Sequence, residues 1–241
     1  MRTLGLDPSL RSYGWAIHDS LATGPFRRVS SGHEGTLPST VPVARFLHFQ
    51  SLVDNLINKY HPDAIGIESP AYSAGPFQTV HFGLMMFSLV PIFEARLNCV
   101  LFDPATLKSL AKEDPTKKKG DMSKLDMQRR VQIDTMDPHV IDNNEADAYL
   151  VGLYTARLIE LIKGSIPIEC LTPAERRIFV LRTKKIKTLK GKKICRIGHI
   201  FRENNRYFNF SNIPLGIVTL PEKSQINPKL LEYLENLEET E

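Results

Sequence analysis

The stretch LGLDPSLRSYGWAIHDS, residues 4–20, runs from an apolar segment that ends in one acid, Asp7, into a second apolar segment that opens at Tyr13. Short apolar runs of this kind, separated by Pro8, Ser9 and Ser12, read as two strands with a turn between them. A link this short favours an antiparallel return. A lone carboxylate at the tip of a buried strand has three readings: a structural turn, a phosphate-binding turn, or one ligand of a metal site.

Outward from this pair, residues 26–36 read as a third strand, so the chain begins as a meander. Between Val41 and Tyr60 the residues Phe46, Phe49, Val53, Leu56 and Ile57 fall at helical spacing, and Pro62 ends the helix. AIGIE, residues 64–68, is a buried strand that again ends in an acid, Glu68. Phe77–Arg96 reads as a helix bent at Pro91. Its Phe82, Met85, Met86 and Phe87, like Trp15 of the second strand, are expected in the core. Asn98–Phe102 is a fifth strand stopped by Asp103 and Pro104. A short helix over 105–111, a polar basic segment over 112–123, a helix over 124–135 and a last helix over 145–162 follow. This order, β-β-β-α-β-α-β-α with extra helical material, predicts an α/β fold: a mixed five-stranded sheet flanked by helices.

Gly164–Pro167 marks the expected boundary between a first domain, residues 1–163, and a second, residues 164–241. In the second, Thr172, Pro173 and Glu175 read as a helix start. Residues 194–201 and 206–210 read as the strands of a hairpin, and Leu230, Leu234 and Leu237 form a short amphipathic stripe.

Three acids occupy comparable places. Asp7 closes the first strand, Glu68 closes the fourth, and Asp147 lies in the first turn of the last helix, in IDNNEADAYLVGLYTAR, residues 141–157. In a mixed sheet the first and fourth strands can be central neighbours, and a helix laid across them brings the third acid within reach. Converging carboxylates repel each other unless a cation sits among them. Hard divalent ions such as Mg²⁺ take oxygen ligands of this kind. A pair of such ions can activate a water and stabilise the leaving oxygen of a phosphodiester.

In this order and at these intervals, LGLDPSLRSYGWAI, AIGIESP and NEADAYLVGLYTA resemble the RuvC-type Holliday junction resolvases of the ribonuclease H-like superfamily. The resemblance covers residues 1–162. It implies a ribonuclease H-like sheet, a homodimer, and Mg²⁺-dependent paired nicking of four-way DNA junctions, with two ions per site and Mn²⁺ as a substitute. It gives Asp7, Glu68 and Asp147 the catalytic, metal-ligating roles. The family's fourth ligand, one helical turn before the last Asp, falls here on Asn144, whose amide oxygen brings no charge. Asp142 is the favoured substitute, ahead of Glu145, which is rotated away from Asp147. The segment FDPATLKSLAKEDPTKKKGDMSKLDM, residues 102–127, resembles the family's basic stretch beside the active site. It implies phosphate contacts from Lys108, Lys117, Lys118, Lys119 and Lys124, which position DNA without reading bases. Tyr72 and Phe77, after Glu68, are candidates for the aromatic residue that the family places at the junction centre.

Charge is unevenly spread. The chain carries a net +4, yet residues 163–206 hold 13 Lys/Arg against 3 Asp/Glu. A block this basic points to a polyanion. Arg182, Lys184, Lys185, Lys187, Lys190, Lys192 and Lys193 alternate with apolar residues in RTKKIKTLKGKKICRIGHIFR, residues 182–202. This reads as a small basic α+β module for binding DNA or extending a dimer; the alternative is an appendage that binds a partner protein. No apolar stretch is long enough to span a membrane, and no signal sequence opens the chain. Cys99, Cys170 and Cys195 show no paired spacing. Free thiols in a reducing compartment follow, so we expect a cytoplasmic protein or an organellar one; a bacterial or viral origin is a separate expectation that the cysteines do not bear on.

The bland readings stand beside these. Asp7 alone is a turn residue, Asn144 a plain helix N-cap, and Lys117–Lys119 a solvated loop. The phosphate turn of actin-like ATPases needs glycine-rich partner motifs that the chain lacks, and no G-x-x-x-x-G-K-[ST] is present. Two rivals to junction resolution remain at this point. One is a ribonuclease H-like nuclease acting on flaps, forks or RNA–DNA hybrids. The other is a catalytically weak junction-binding scaffold, for which Asn144 is the motive.

Overall fold

The computed structural model describes residues 1–9, 11–20, 27–37, 41–70, 77–111, 123–135 and 142–179, and four short strands beyond them. The basic segment 112–122 and the leucine stripe of Leu230, Leu234 and Leu237 lie outside the described residues. The chain groups into two compact units, Met1–Ala156 and Arg157–Glu241.

The first unit is built on five strands: β1 (Arg2–Asp7), β2 (Tyr13–Asp19), β3 (Arg27–Glu34), β4 (Ala64–Glu68) and β5 (Asn98–Phe102). Their order in the sheet is β3-β2-β1-β4-β5. The opening stretch is the antiparallel pair β1–β2, in which Leu6 faces Trp15 and Asp7 faces Gly14. β3 continues the meander, whereas β1–β4 and β4–β5 are parallel. Around the sheet are the helices α1 (Pro42–Tyr60), α2 (Phe77–Glu94), α3 (Pro104–Ala111), α4 (Lys124–Thr135) and α5 (Asn143–Lys163). The end of α1 is set by His61, whose left-handed backbone (φ 48°) caps the helix just before Pro62.

Side chains alternate across a strand, and the two faces of this sheet carry different residues. One face presents Leu4, Leu6, Tyr13, Ile17, Ile65 and Ile67, all fully buried against Phe49, Leu52 and Val53 of α1 and Leu84, Met85 and Ile92 of α2. The other face presents Thr3, Gly5, Gly14, Ala16, Ala64 and Gly66, with His18 as the one large buried side chain of β1, β2 and β4 on that side, and α5 lies on it. Bulk on one side forms the core; its lack on the other admits a helix at close range.

Of the aromatic and methionine residues expected in the core, Met85 is fully buried, but Phe82 is 37% exposed. α2 is apolar on every side, and one sheet and one neighbouring helix bury only half of it. Phe82, Val90 and Phe93 are left on the outer flank. Among the described residues no helix is long and apolar enough to cross a membrane.

The described part of the second unit includes α6 (Pro173–Phe179), which starts where the sequence predicts. Thr172 and Glu175 form a reciprocal capping box: Glu175 N–H donates to Thr172 Oγ1 at 3.2 Å, and Thr172 N–H to Glu175 Oε2 at 2.8 Å. Arg157 grips the same buried carboxylate and also donates to the Cys170 carbonyl. Most of the expected hairpin of 194–201 with 206–210 lies outside the described residues. Lys193–Cys195 (β7) pairs with Lys185–Lys187 (β6), and Arg206–Phe208 (β8) pairs with Ile217–Thr219 (β9). Five residues that include Gly191 separate Lys187 from Lys193, a spacing that suits a hairpin.

Candidate metal centre

The site begins with two four-residue segments of the same pattern, LGLD at 4–7 and IGIE at 65–68. They lie side by side in register, with Leu4 opposite Ile65, Gly5 opposite Gly66 and Leu6 opposite Ile67. Asp7 and Glu68 come next, at the same end of adjacent parallel strands and on the α5 side of the sheet. Both backbones are held there. Asp7 is laddered to Gly14 of β2 and Glu68 to Phe102 of β5, and Ser69 N–H extends the second ladder to the Phe102 carbonyl at 2.8 Å.

The third acid depends on how close α5 comes. A Cβ on Gly5 would stand 2.0 Å from the Ala148 carbonyl oxygen, and one on Gly66 would stand 2.1 Å from Thr155 Oγ1. At these two positions only glycine fits under the helix. Thr3, fully buried, donates from Oγ1 to the Gly152 carbonyl at 3.0 Å and ties β1 to α5. Asp147, in the turn before Ala148, is thereby lowered to the strand ends. One carboxylate oxygen from each of Asp7, Glu68 and Asp147 lies within 4.8 Å of the others, and all three residues are half-buried.

Three anions at this spacing do not ionise freely. Burial raises the Asp7 and Glu68 carboxyls well above the ordinary range, and the neighbouring acids of the trio raise them further. Burial pushes Asp147 up to about 6, while the charges of Lys124 and Lys108 hold it down. The cluster therefore binds protons tightly or a cation in their place. A dense set of carboxylate oxygens fits a hard divalent ion, Mg²⁺ or Mn²⁺, rather than a soft metal.

Lys108 on α3 and Lys124 at the start of α4 are exposed, and their charges act on these carboxylates. α3 is aimed by Asp103, which accepts from the Thr106 N–H at 2.9 Å and from its hydroxyl at 2.5 Å. Glu145 turns the other way and takes a hydrogen bond from Ser31 of β3. Asp142, not Asn144, is the N-cap of α5: the Asn144 N–H donates to Asp142 Oδ1 at 2.8 Å. The Asn144 side chain donates from Nδ2 to the Ser12 carbonyl. Phe77 is the first residue of α2. Lys185 and Lys187 lie on β6 and Lys193 on β7. Tyr72, Lys117, Lys118, Lys119, Arg182, Lys184, Lys190 and Lys192 lie outside the described residues.

Several residues that shape the site were not singled out by sequence reasoning. Gly5 and Gly66 were visible as the repeated apolar-Gly-apolar-acid pattern. Ser12 and Thr3 carried no signal, since each acts on a residue more than a hundred positions away.

Here acids converge at the ends of β1 and β4, and the mixed β3-β2-β1-β4-β5 sheet flanked by helices is the ribonuclease H-like fold. Within it, the chain resembles the RuvC-type Holliday junction resolvases in both sequence and fold. It is 32% identical over 68 residues to the crossover junction endodeoxyribonuclease RuvC of Thermobifida fusca, 28% of this chain and 37% of that one. It is 28% identical over 112 residues to RuvC of Akkermansia muciniphila, 45% of this chain and 65% of that one. The matched segments thus span about a third to two thirds of these relatives' length. No protein-family model matches the chain. The solved structure of T. thermophilus RuvC in complex with a Holliday junction substrate superposes with a TM-score of 0.53 at 18% identity, covering 64% of this chain and 91% of that one.

Proposed function

We propose that this chain is a divalent-metal-dependent endonuclease that resolves four-way DNA junctions. The observation that carries the reading is the trio Asp7, Glu68 and Asp147, with carboxylate oxygens within 4.8 Å at the ends of the central strands. These residues would hold Mg²⁺, two ions per site in the fully assembled state. Bound ions supply an activated water and stabilise the leaving oxygen of a phosphodiester. The protein's own part is positional: two carboxylates stand on laddered strand ends and the third on a helix seated against them. Lys108 and Lys124 draw the phosphate backbone toward the acids. Lys117–Lys119 and the aromatic pair Tyr72 and Phe77 extend the DNA surface in this reading, and the basic module of residues 164–241 adds DNA contacts or extends the dimer.

A homodimer is part of the same proposal, because paired symmetric nicks need two sites. The outer flank of α2, with Phe82 37%, Val90 38% and Phe93 59% exposed, offers an apolar surface with no charged residue before Glu94. The occupant we assign to it is a second copy of the chain. The setting is cytoplasmic.

The test uses end-labelled four-way junctions, flaps, forks, RNA–DNA hybrids and plain duplex with Mg²⁺, for the wild type, Asp7→Asn and Glu68→Gln. Symmetric paired nicks on the four-way junction alone, lost in both variants, are expected. Cutting of flaps or hybrids in its place moves the function to another nuclease, and tight junction binding with no cut in Mg²⁺ or Mn²⁺ makes the chain a scaffold. Light scattering on the same protein should give twice the chain mass; a single-chain mass removes the dimer.

A further inference from the structure

We infer that Asp142 and Asn144 are positioning residues, closing a hydrogen-bonded clasp between the β1–β2 turn and the start of α5, and that they are not metal ligands. The inference rests on the metal-centre reading above and concerns how that centre is built. Asp142 and Asn144 are the two positions at which a fourth ligand is sought, and each has another task in the structure.

Asp142 Oδ1 accepts the Asn144 N–H at 2.8 Å and faces the Ser12 hydroxyl at 3.4 Å. The Asp142 carbonyl accepts the Ala146 N–H at 2.9 Å, which opens the helix. The Asn144 amide donates from Nδ2 to the Ser12 carbonyl. A carbonyl only accepts, so the amide nitrogen must face Ser12, and a carboxylate at 144 would meet that carbonyl with a repelling oxygen. Beneath them, a Cβ on Gly14 would stand 2.1 Å from the Asn144 carbonyl oxygen, so the start of α5 rests directly on β2. Ser12 sits in the turn that follows Asp7, and Asn144 is one helical turn before Asp147. The clasp therefore sets the distance between these two acids. Among the described acidic, histidine and cysteine residues, the group of three whose ligand atoms lie within 4.8 Å of one another is Asp7, Glu68 and Asp147; Asp142 is not in the group.

The centre thus offers three charged ligands, and the clasp holds them in place. Substitutions at Asp142 separate a positioning role from a ligand role. Asparagine keeps an oxygen to accept the two hydrogen bonds and loses only the charge; alanine loses both. Mn²⁺ binding to the full chain, without DNA, is followed by titration calorimetry, with thermal melting alongside. Asp142→Asn is expected to bind within about fivefold of the wild type, the effect of one screened charge near the site. Asp142→Ala is expected to bind about tenfold or more weakly, as losses of supporting residues do. Asn144→Asp is expected to bind more weakly than the wild type, because it breaks the bond to Ser12.

The inference is overturned if Asp142→Asn binds as poorly as Asp142→Ala, or if Asn144→Asp binds more tightly than the wild type. Should Asp142→Ala fail to fold, the direction of the Asn144→Asp change decides alone. A wild type that binds no Mn²⁺, or an Asp7→Asn protein that binds it equally well, overturns the metal centre itself and the clasp with it.

Discussion

The two faces of the central sheet are made from the same three strands and serve opposite ends. Toward α1 and α2, Leu4, Leu6, Ile17, Ile65 and Ile67 fill space with branched side chains and are wholly buried. Toward α5, most of the alternate residues are glycine, alanine and threonine, and the helix is held by backbone approach, by one buried hydroxyl and by the buried His18 ring edge-on to Tyr149. The first face gains hydrophobic free energy with every side chain. The second gives that up, because a bulky residue at Gly5 or Gly66 would lift Asp147 away from Asp7 and Glu68. Stability and the charged site are separated by the alternation of a β-strand.

Removing an acid from the α5 face should break this contrast most. Asp7→Asn is expected to lower junction nicking about a thousandfold, or about 4 kcal/mol in the barrier. Its metal-free melting temperature should not fall, since a buried like charge is gone. A variant that melts well below the wild type would show the acid to be structural. Next comes Leu6→Ala on the core face, expected to cost about 3 kcal/mol in urea unfolding while the folded protein keeps its Mn²⁺ affinity. Gly5→Ala, the neighbouring residue on the other face, is expected to cost about 2 kcal/mol by overpacking and also to weaken Mn²⁺ binding. Equal effects of the two substitutions on metal affinity would erase the distinction between the faces.

The smallest effect is on pH. Burial raises the Asp147 carboxyl from 3.8 to about 6, so the folded chain keeps a proton that the unfolded chain has lost. Its contribution to stability is fully present below 3.8 and is lost as the pH rises through about 6. The metal-free protein should therefore melt higher at about pH 5 than at about pH 8, and less so in Asp147→Asn. Saturating Mg²⁺ should reverse the order, because binding needs the ionised carboxylates.

The sequence by itself determined the five strands and their flanking helices, since apolar spacing and the stops at Pro62 and Asp103-Pro104 are local signals. It also pointed to Asp7, Glu68 and Asp147, because acids close the first and fourth strands, a third opens the last helix, and the three stand in the order and at the intervals of the resembled family. The exposed Phe82 was beyond its reach: an apolar helix does not say which of its sides meets the sheet. The pairing of β7 with β6 was equally undecided, as two linkers of hairpin length compete for the same segment. Only the tertiary structure decided that Glu145 bonds Ser31, that Asp142 caps α5, and that Asn144 reaches Ser12. Those assignments depend on which face of α5 rests on the sheet and how near it comes. Both are set by glycines and a threonine on strands more than seventy residues away in sequence, which no local pattern records.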